Sequence, residues 1–218
     1  MQSDQKDQPD WDVAIAIETQ PHVALYLKTA LGVPNQPGSP SDLQDDIPEL
    51  SRSIPNGWVE LVHRNWHGWW IAILNSESVK LNRGHLQNRL DWKNAVQQSQ
   101  RDSDVFTWFS LGDYATSRKI IGPIVHEATL WFTQKRQDFE EQMPEFDVAR
   151  YTEIARTISA NFEDHARRMH AEFSVLGLPD NWTQRVNNST IACSIAVAND
   201  ESQFQSLIEQ SFVAGLSE

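Results

Sequence analysis

The sequence predicts an α+β fold, in which a small antiparallel sheet packs on a helical layer. Three stretches carry that prediction. Residues 147–176 contain no Gly or Pro and place apolar residues at helical spacing. Residues 58–82 set aromatic and β-branched runs between turn signals. Residues 190–197 are small, β-branched and alternating.

Taken in order, residues 1–10 (MQSDQKDQPD) are polar and acidic, which predicts a disordered tail and no signal peptide. The remaining chain, 11–218, reads as a single domain. Val13, Ile15 and Ile17 alternate with Ala14 and Ala16, a pattern open to a strand or an early helical turn. Pro21 at a first helical position and Gly32 beyond the end predict a helix over 21–31. Residues 33–57 hold Pro34, Pro37, Pro40, Pro48 and Pro55, and read as a connector.

Within 58–82, the runs 58–64, 69–74 and 79–81 flank the turn signals at 65–68 and 75–78. That predicts a three-stranded antiparallel meander. Residues 83–101 form a polar helix with Leu86, Leu90 and Val96 inward, and 104–111 form a buried strand. Gly122-Pro123 starts a further helix that runs to about 142.

The long element is the helix over 147–176. Val148, Tyr151, Ala155, Ile158, Phe162, Ala166, Met169, Phe173 and Leu176 are spaced by three and four residues, with Ile154 beside them. Glu163–Arg167 and Asp164–Arg168 are acid-before-base pairs on its outer face. Gly177 and Pro179 stop it. It would be about 45 Å long and pair antiparallel with the Pro123 helix. Residues 190–197 then form a strand, and Asp200 caps a last helix with Phe204, Leu207, Ile208, Phe212 and Leu216 inward. The rival is an all-α fold in which 58–74 and 190–198 are helices, since short apolar runs fit either period.

Charge and composition narrow the function. Nine Asp/Glu against two Lys/Arg in residues 1–50 concentrate the acidity of a chain whose net charge is −12. Direct binding to duplex nucleic acid, which needs a basic footprint, is therefore disfavoured. A protein partner with a basic face suits the charge, and homo-oligomerisation stays open. No apolar run is long enough to span a membrane. A single cysteine, Cys193, suits a reducing cytoplasm. There is no Walker A loop, GxGxxG, GxSxG, HExxH or paired CxxC, so no cofactor or metal is expected.

Two functional expectations follow, with a variant of the first. The first is a non-catalytic interaction module of a bacterial or phage cytosol: an inhibitor, immunity or adaptor protein. It would act through its acidic surface and a Trp-rich hairpin presenting His63, Trp66, His67, Trp69 and Trp70. The bland alternative is that these indoles supply buried area in a small sheet. The variant is an acidic mimic of nucleic acid. The second expectation is an enzyme or small-ligand-binding protein with a Trp/His-lined pocket between sheet and helices. Its candidate residues are His126-Glu127 and, breaking the apolar face of the long helix, His165 with Glu172. A hydrogen-bonded core histidine is the structural alternative for His165. His170, at the other edge of that face, is expected in solvent.

Overall fold

The computed structural model describes residues 10–81, 89–110, 112–145, 147–161 and 169–216. Among them the fold is α+β, with helices on both sides of a small four-stranded mixed sheet. Most of the expected acidic tail, and His165 with it, lie outside the described residues.

The undecided N-terminal stretch is strand β1 (Trp11–Ala16), and the Pro21 helix is α1 (Thr19–Ala30). The proline-rich connector that follows has no regular element and is pinned to α1 through a buried cation. The Lys28 ammonium, on a fully buried side chain, bonds to Asn35 Oδ1 at 2.6 Å and to the Asp42 carboxylate.

The expected meander is replaced by one helix, α2 (Asn56–Leu81). Its buried apolar residues are Trp58, Leu61, Val62, Trp66, Trp69, Trp70, Ile73 and Leu74. Their spacing by one, three and four residues is that of a helical face, not of a strand. Gly68 is a packing residue rather than a turn: a Cβ there would lie 2.9 Å from the Trp108 ring. The polar helix follows as α3 (Arg89–Asp102). The expected strand at 104–111 is instead a helical turn, α4 (Val105–Trp108), because the Asp104 side chain caps it by accepting the Thr107 N–H.

Helix α5 (Tyr114–Glu141) begins nine residues before Pro123, at an Asp113 cap. Pro123 therefore sits inside the helix, where its cost is the hydrogen bond to the carbonyl four residues back. The expected hairpin with a long helix does not form, and α5 packs on α1 instead.

The long helix over 147–176 is likewise overturned. Helix α6 stops after Val148–Ser159, and Met169–Leu176 is a strand, β2, with all eight residues buried. Met169, Phe173 and Leu176 fit a helical step, but Met169, Ala171, Phe173 and Val175 fit a strand equally well. The structure uses the second period.

After β3 (Thr183–Arg185) and β4 (Thr190–Ser194) come α7 (Ile195–Asn199) and α8 (Glu201–Leu216). The expected strand at 190–197 thus ends at Ser194, whose hydroxyl accepts the Val197 N–H and caps α7. Asp200 caps α8 as expected, accepting the Ser202 and Gln203 amides. Those bonds hold its carboxyl down at about 2.

The sheet order is β1-β2-β4-β3. The expected antiparallel sheet is corrected: β1, β2 and β4 run parallel, and only the short edge strand β3 is antiparallel. Parallel neighbours need covering on both faces, which explains the uniform burial of β2. Tyr151, Ile154 and Ile158 of α6 and Phe204, Ile208 and Phe212 of α8 cover the face bearing Met169, Ala171, Phe173 and Val175. Helices α1, α2 and α5 contribute to the core on the opposite side. Strand alternation places Asp12, Ala14, Ala16, His170, Glu172, Ser174, Thr190 and Ala192 on that inner face.

Candidate functional site

The tryptophans expected at a surface are core residues. Trp66, Trp69 and Trp70 are at most 2% exposed, and each indole N–H finds an internal acceptor: Ala24 O, Ser103 O and Gln184 Oε1. Trp66 and Trp70 stack with centroids 5.5 Å apart. Their large area is spent on joining α2 to its neighbours in the core, so these three indoles form no surface platform. His63 is half-buried and its Nε2–H donates to Leu31 O at 2.8 Å, another internal tie. His67 is half-buried, with its Nδ1 buried and unpaired. His126 is exposed, while Glu127 accepts the Tyr26 hydroxyl at 2.9 Å.

Glu172 is the candidate that the fold places in company. It is fully buried on the inner face of β2, with His170, two residues earlier on the same face, 2.5 Å away through Nε2. The register sets Asp12 of β1 opposite His170, and Asp12 Oδ2 lies 2.7 Å from His170 Nδ1. On the other side Thr190 of β4 stands opposite Glu172 and donates its hydroxyl to Oε2 at 2.6 Å. His170, expected in solvent, is 6% exposed.

Proton bookkeeping defines this cluster. A neutral imidazole has one N–H, yet both ring nitrogens of His170 sit against carboxylate oxygens. Two carboxylates and an imidazole thus share one more proton than a neutral ring supplies, and an imidazolium between two carboxylates is the balanced form. Burial alone would lower the pKa of His170. Bonding to Glu172 and Asp12 outweighs it, and the net shift is upward.

The hydroxyls beyond Glu172 are ordered by the same logic. Thr190 spends its only proton on Glu172, so Ser78 Oγ, 3.2 Å away, must donate to Thr190. Asn187 Nδ2 in turn donates to Ser78 at 2.6 Å. The result is a directed chain, Asn187 to Ser78 to Thr190 to Glu172, that meets the imidazolium and ends at Asp12. The Asp12 side chain is 36% exposed and Asn187 is exposed, so both ends reach solvent.

Ser78 belongs to α2, and its neighbour Glu77 adds a further buried acid. Glu77 is 1% exposed; Oε1 accepts the Lys80 ammonium at 2.7 Å, and Oε2 is buried without a partner. Burial pushes its pKa up against the pull of Lys80, and Glu18 adds to the rise. Among the described residues no group of three or more His, Cys, Asp or Glu side chains could hold a metal ion. Cys193 faces the other core, where burial pushes its thiol up to about 12 and leaves it inert.

The alternation of polar and apolar residues in MHAEFSVL, and of Asp12, Ala14 and Ala16 with Val13 and Ile15, carried the signal for this site. It becomes legible only when 169–176 is read with period two. The chain matches no family model, no curated protein and no solved structure. No helix among the described residues is long and apolar enough to cross a membrane.

Proposed function

We propose that this chain is a ligand-binding protein of acid–base character, working through the Asp12–His170–Glu172–Thr190 cluster between the sheet and α2. One observation carries the proposal: an imidazole held between two carboxylates on an almost fully buried strand face. Buried ion pairs are poor devices for stability, because desolvation cancels most of the attraction and apolar replacements are often neutral or stabilising. Charges kept there at such cost, with shifted proton affinity, mark functional sites more often than ordinary core. The extra proton on His170 is available through the partly exposed Asp12, while the hydroxyl chain from Asn187 supplies Glu172 with a hydrogen bond through Thr190. That is the equipment of a general acid, or of a pocket selecting a cationic or hydrogen-bond-donating group.

The test is a thermal-shift screen of small organic cations, amines and carboxylic acids on wild type, Glu172→Gln and His170→Asn. Compounds that stabilise wild type and neither folded variant support the proposal. A His170→Leu, Glu172→Leu double variant that is more stable than wild type, with an unchanged compound profile, sinks it.

The acidity supports a second reading, a module that binds a basic protein face. Two of the acidic connector residues are already paired internally, Asp42 with Lys28 and Asp45 with Lys135, while Asp46 and Glu49 stay exposed. Partner capture lost in Asp46→Asn, Glu49→Gln protein and weakened by salt would favour it.

A further inference from the structure

The end of the connector does not close against α5. Between them lies a cleft of about 430 Å³, within the range of small-molecule sites. Leu50 and Ile54 form one wall, and Ile120 and Ile124 of α5 form the other. None of its lining residues belongs to the hydrogen-bonded cluster of Asp12, His170, Glu172, Thr190, Ser78 and Asn187.

Two opposite charges flank the apolar walls. Lys119 and Glu127 both line the cleft, eight residues apart on α5, about 12 Å along the helix axis. Lys119 makes no ion pair among the described residues, in a protein carrying a net charge of −12. Glu127 is oriented rather than free to swing, because its Oε1 holds the Tyr26 hydroxyl at 2.9 Å. Midway between them Pro123 also lines the cleft. Having no N–H, it withholds from the Lys119 carbonyl its usual helical donor.

This pattern selects among occupants. A fatty acid would satisfy Lys119 but leave Glu127 facing an apolar tail, and a simple amine would satisfy Glu127 but leave Lys119 without a partner. A ligand with an ammonium at one end, a carboxylate at the other and an apolar middle satisfies both charges. Three extended residues span about 10 Å, which the flexible Lys119 side chain can bracket against the fixed Glu127 carboxylate, about 12 Å away along the helix. We propose that this cleft binds short apolar peptides of two or three residues, with the ammonium at Glu127 and the carboxylate at Lys119.

The probe is trileucine, titrated into the full chain by calorimetry, with N-acetyl-trileucine amide as the capped control. Saturable binding of trileucine is expected, weakened about tenfold or more by capping, by Lys119→Gln and by Glu127→Gln, since charge-assisted bonds are lost. Lys119 is exposed, so its variant folds normally. Absence of saturable binding overturns the proposal. So does equal binding of capped and free peptide, or binding that Lys119→Gln leaves unchanged.

Discussion

Acidification should weaken this protein through His22. The residue is fully buried, its ring stacked on Phe132 and Phe139 at 4.6 and 5.3 Å. Nδ1–H donates to Glu18 O at 2.7 Å, which leaves Nε2 as the acceptor for the Gly177 N–H at 3.1 Å. Protonation at Nε2 would break that bond and place a charge between two phenyl rings. Burial accordingly pushes the pKa down from 6.5 to about 4, the Glu18 carbonyl opposing it only in part.

A native pKa below the unfolded one means the unfolded chain binds the proton first as pH falls. The stability tied to neutral His22 is therefore present above about pH 6.5 and lost on the way down through about pH 4. A shift of about two and a half units, at about 1.4 kcal/mol each, amounts to about 3 kcal/mol. That is a large share of the roughly 5–15 kcal/mol that holds a typical domain together.

The assay is urea unfolding of wild type and His22→Phe at pH 7 and pH 4. The variant keeps an aromatic ring but orphans the Gly177 amide, and should lose about 1–3 kcal/mol at pH 7. Between the two pH values its stability should fall about 3 kcal/mol less than that of wild type. The comparison cancels the carboxylates common to both proteins. Parallel losses would refute the assignment of a neutral, locked His22.

Three further outcomes follow from the packing. Gly177→Ala puts a Cβ 2.3 Å from the Phe139 ring, so it should cost about 1–3 kcal/mol in chemical denaturation, with Phe139→Leu restoring part of it. Trp70→Ala, at a fully buried indole stacked on Trp66, should cost about 3–5 kcal/mol. A variant as stable as wild type would return that indole to the surface. Lys28→Met removes the ammonium bonded to Asn35 and Asp42, and limited proteolysis should then cut faster within 33–57. Unchanged cleavage would mean the connector is held by its apolar contacts alone.

The sequence showed the fold wherever capping and period agreed. Pro21 and Gly32 bracketed α1 closely, and Asp200 marked the start of α8, because those residues have one favourable backbone role each. It misled where one stretch satisfied two periods. Asn65 and Gly68 in α2 mimic a hairpin turn, yet Gly68 is there for the Trp108 ring, a contact no local pattern encodes. Pro123 imitates a helix start because the nine preceding residues of α5 are weak in periodic signal.

The site was half legible for the same reason. Glu172 stood out as a charge in an apolar stripe, whichever element carried it. Its partners did not, since Asp12 is 158 residues from His170 and meets that ring only through the parallel pairing of β1 with β2. Read as a helix, 169–176 turned His170 outward; as a strand, it turned the same ring onto Glu172 and Asp12.

The charged state of His170 tests the central claim most directly. Nitrogen-15 NMR of the imidazole, followed from pH 5 to 9, reports whether both ring nitrogens carry protons. The raised proton affinity means that the stability tied to the imidazolium is fully present below pH 6.5 and is lost as pH rises through the native pKa. The expected spectrum is therefore a doubly protonated ring that persists above pH 6.5, with its titration moved down in both Glu172→Gln and Asp12→Asn. A ring that is neutral at pH 6.5 and indifferent to either substitution would contradict an imidazolium held between two carboxylates, and with it the acid–base centre proposed for this fold.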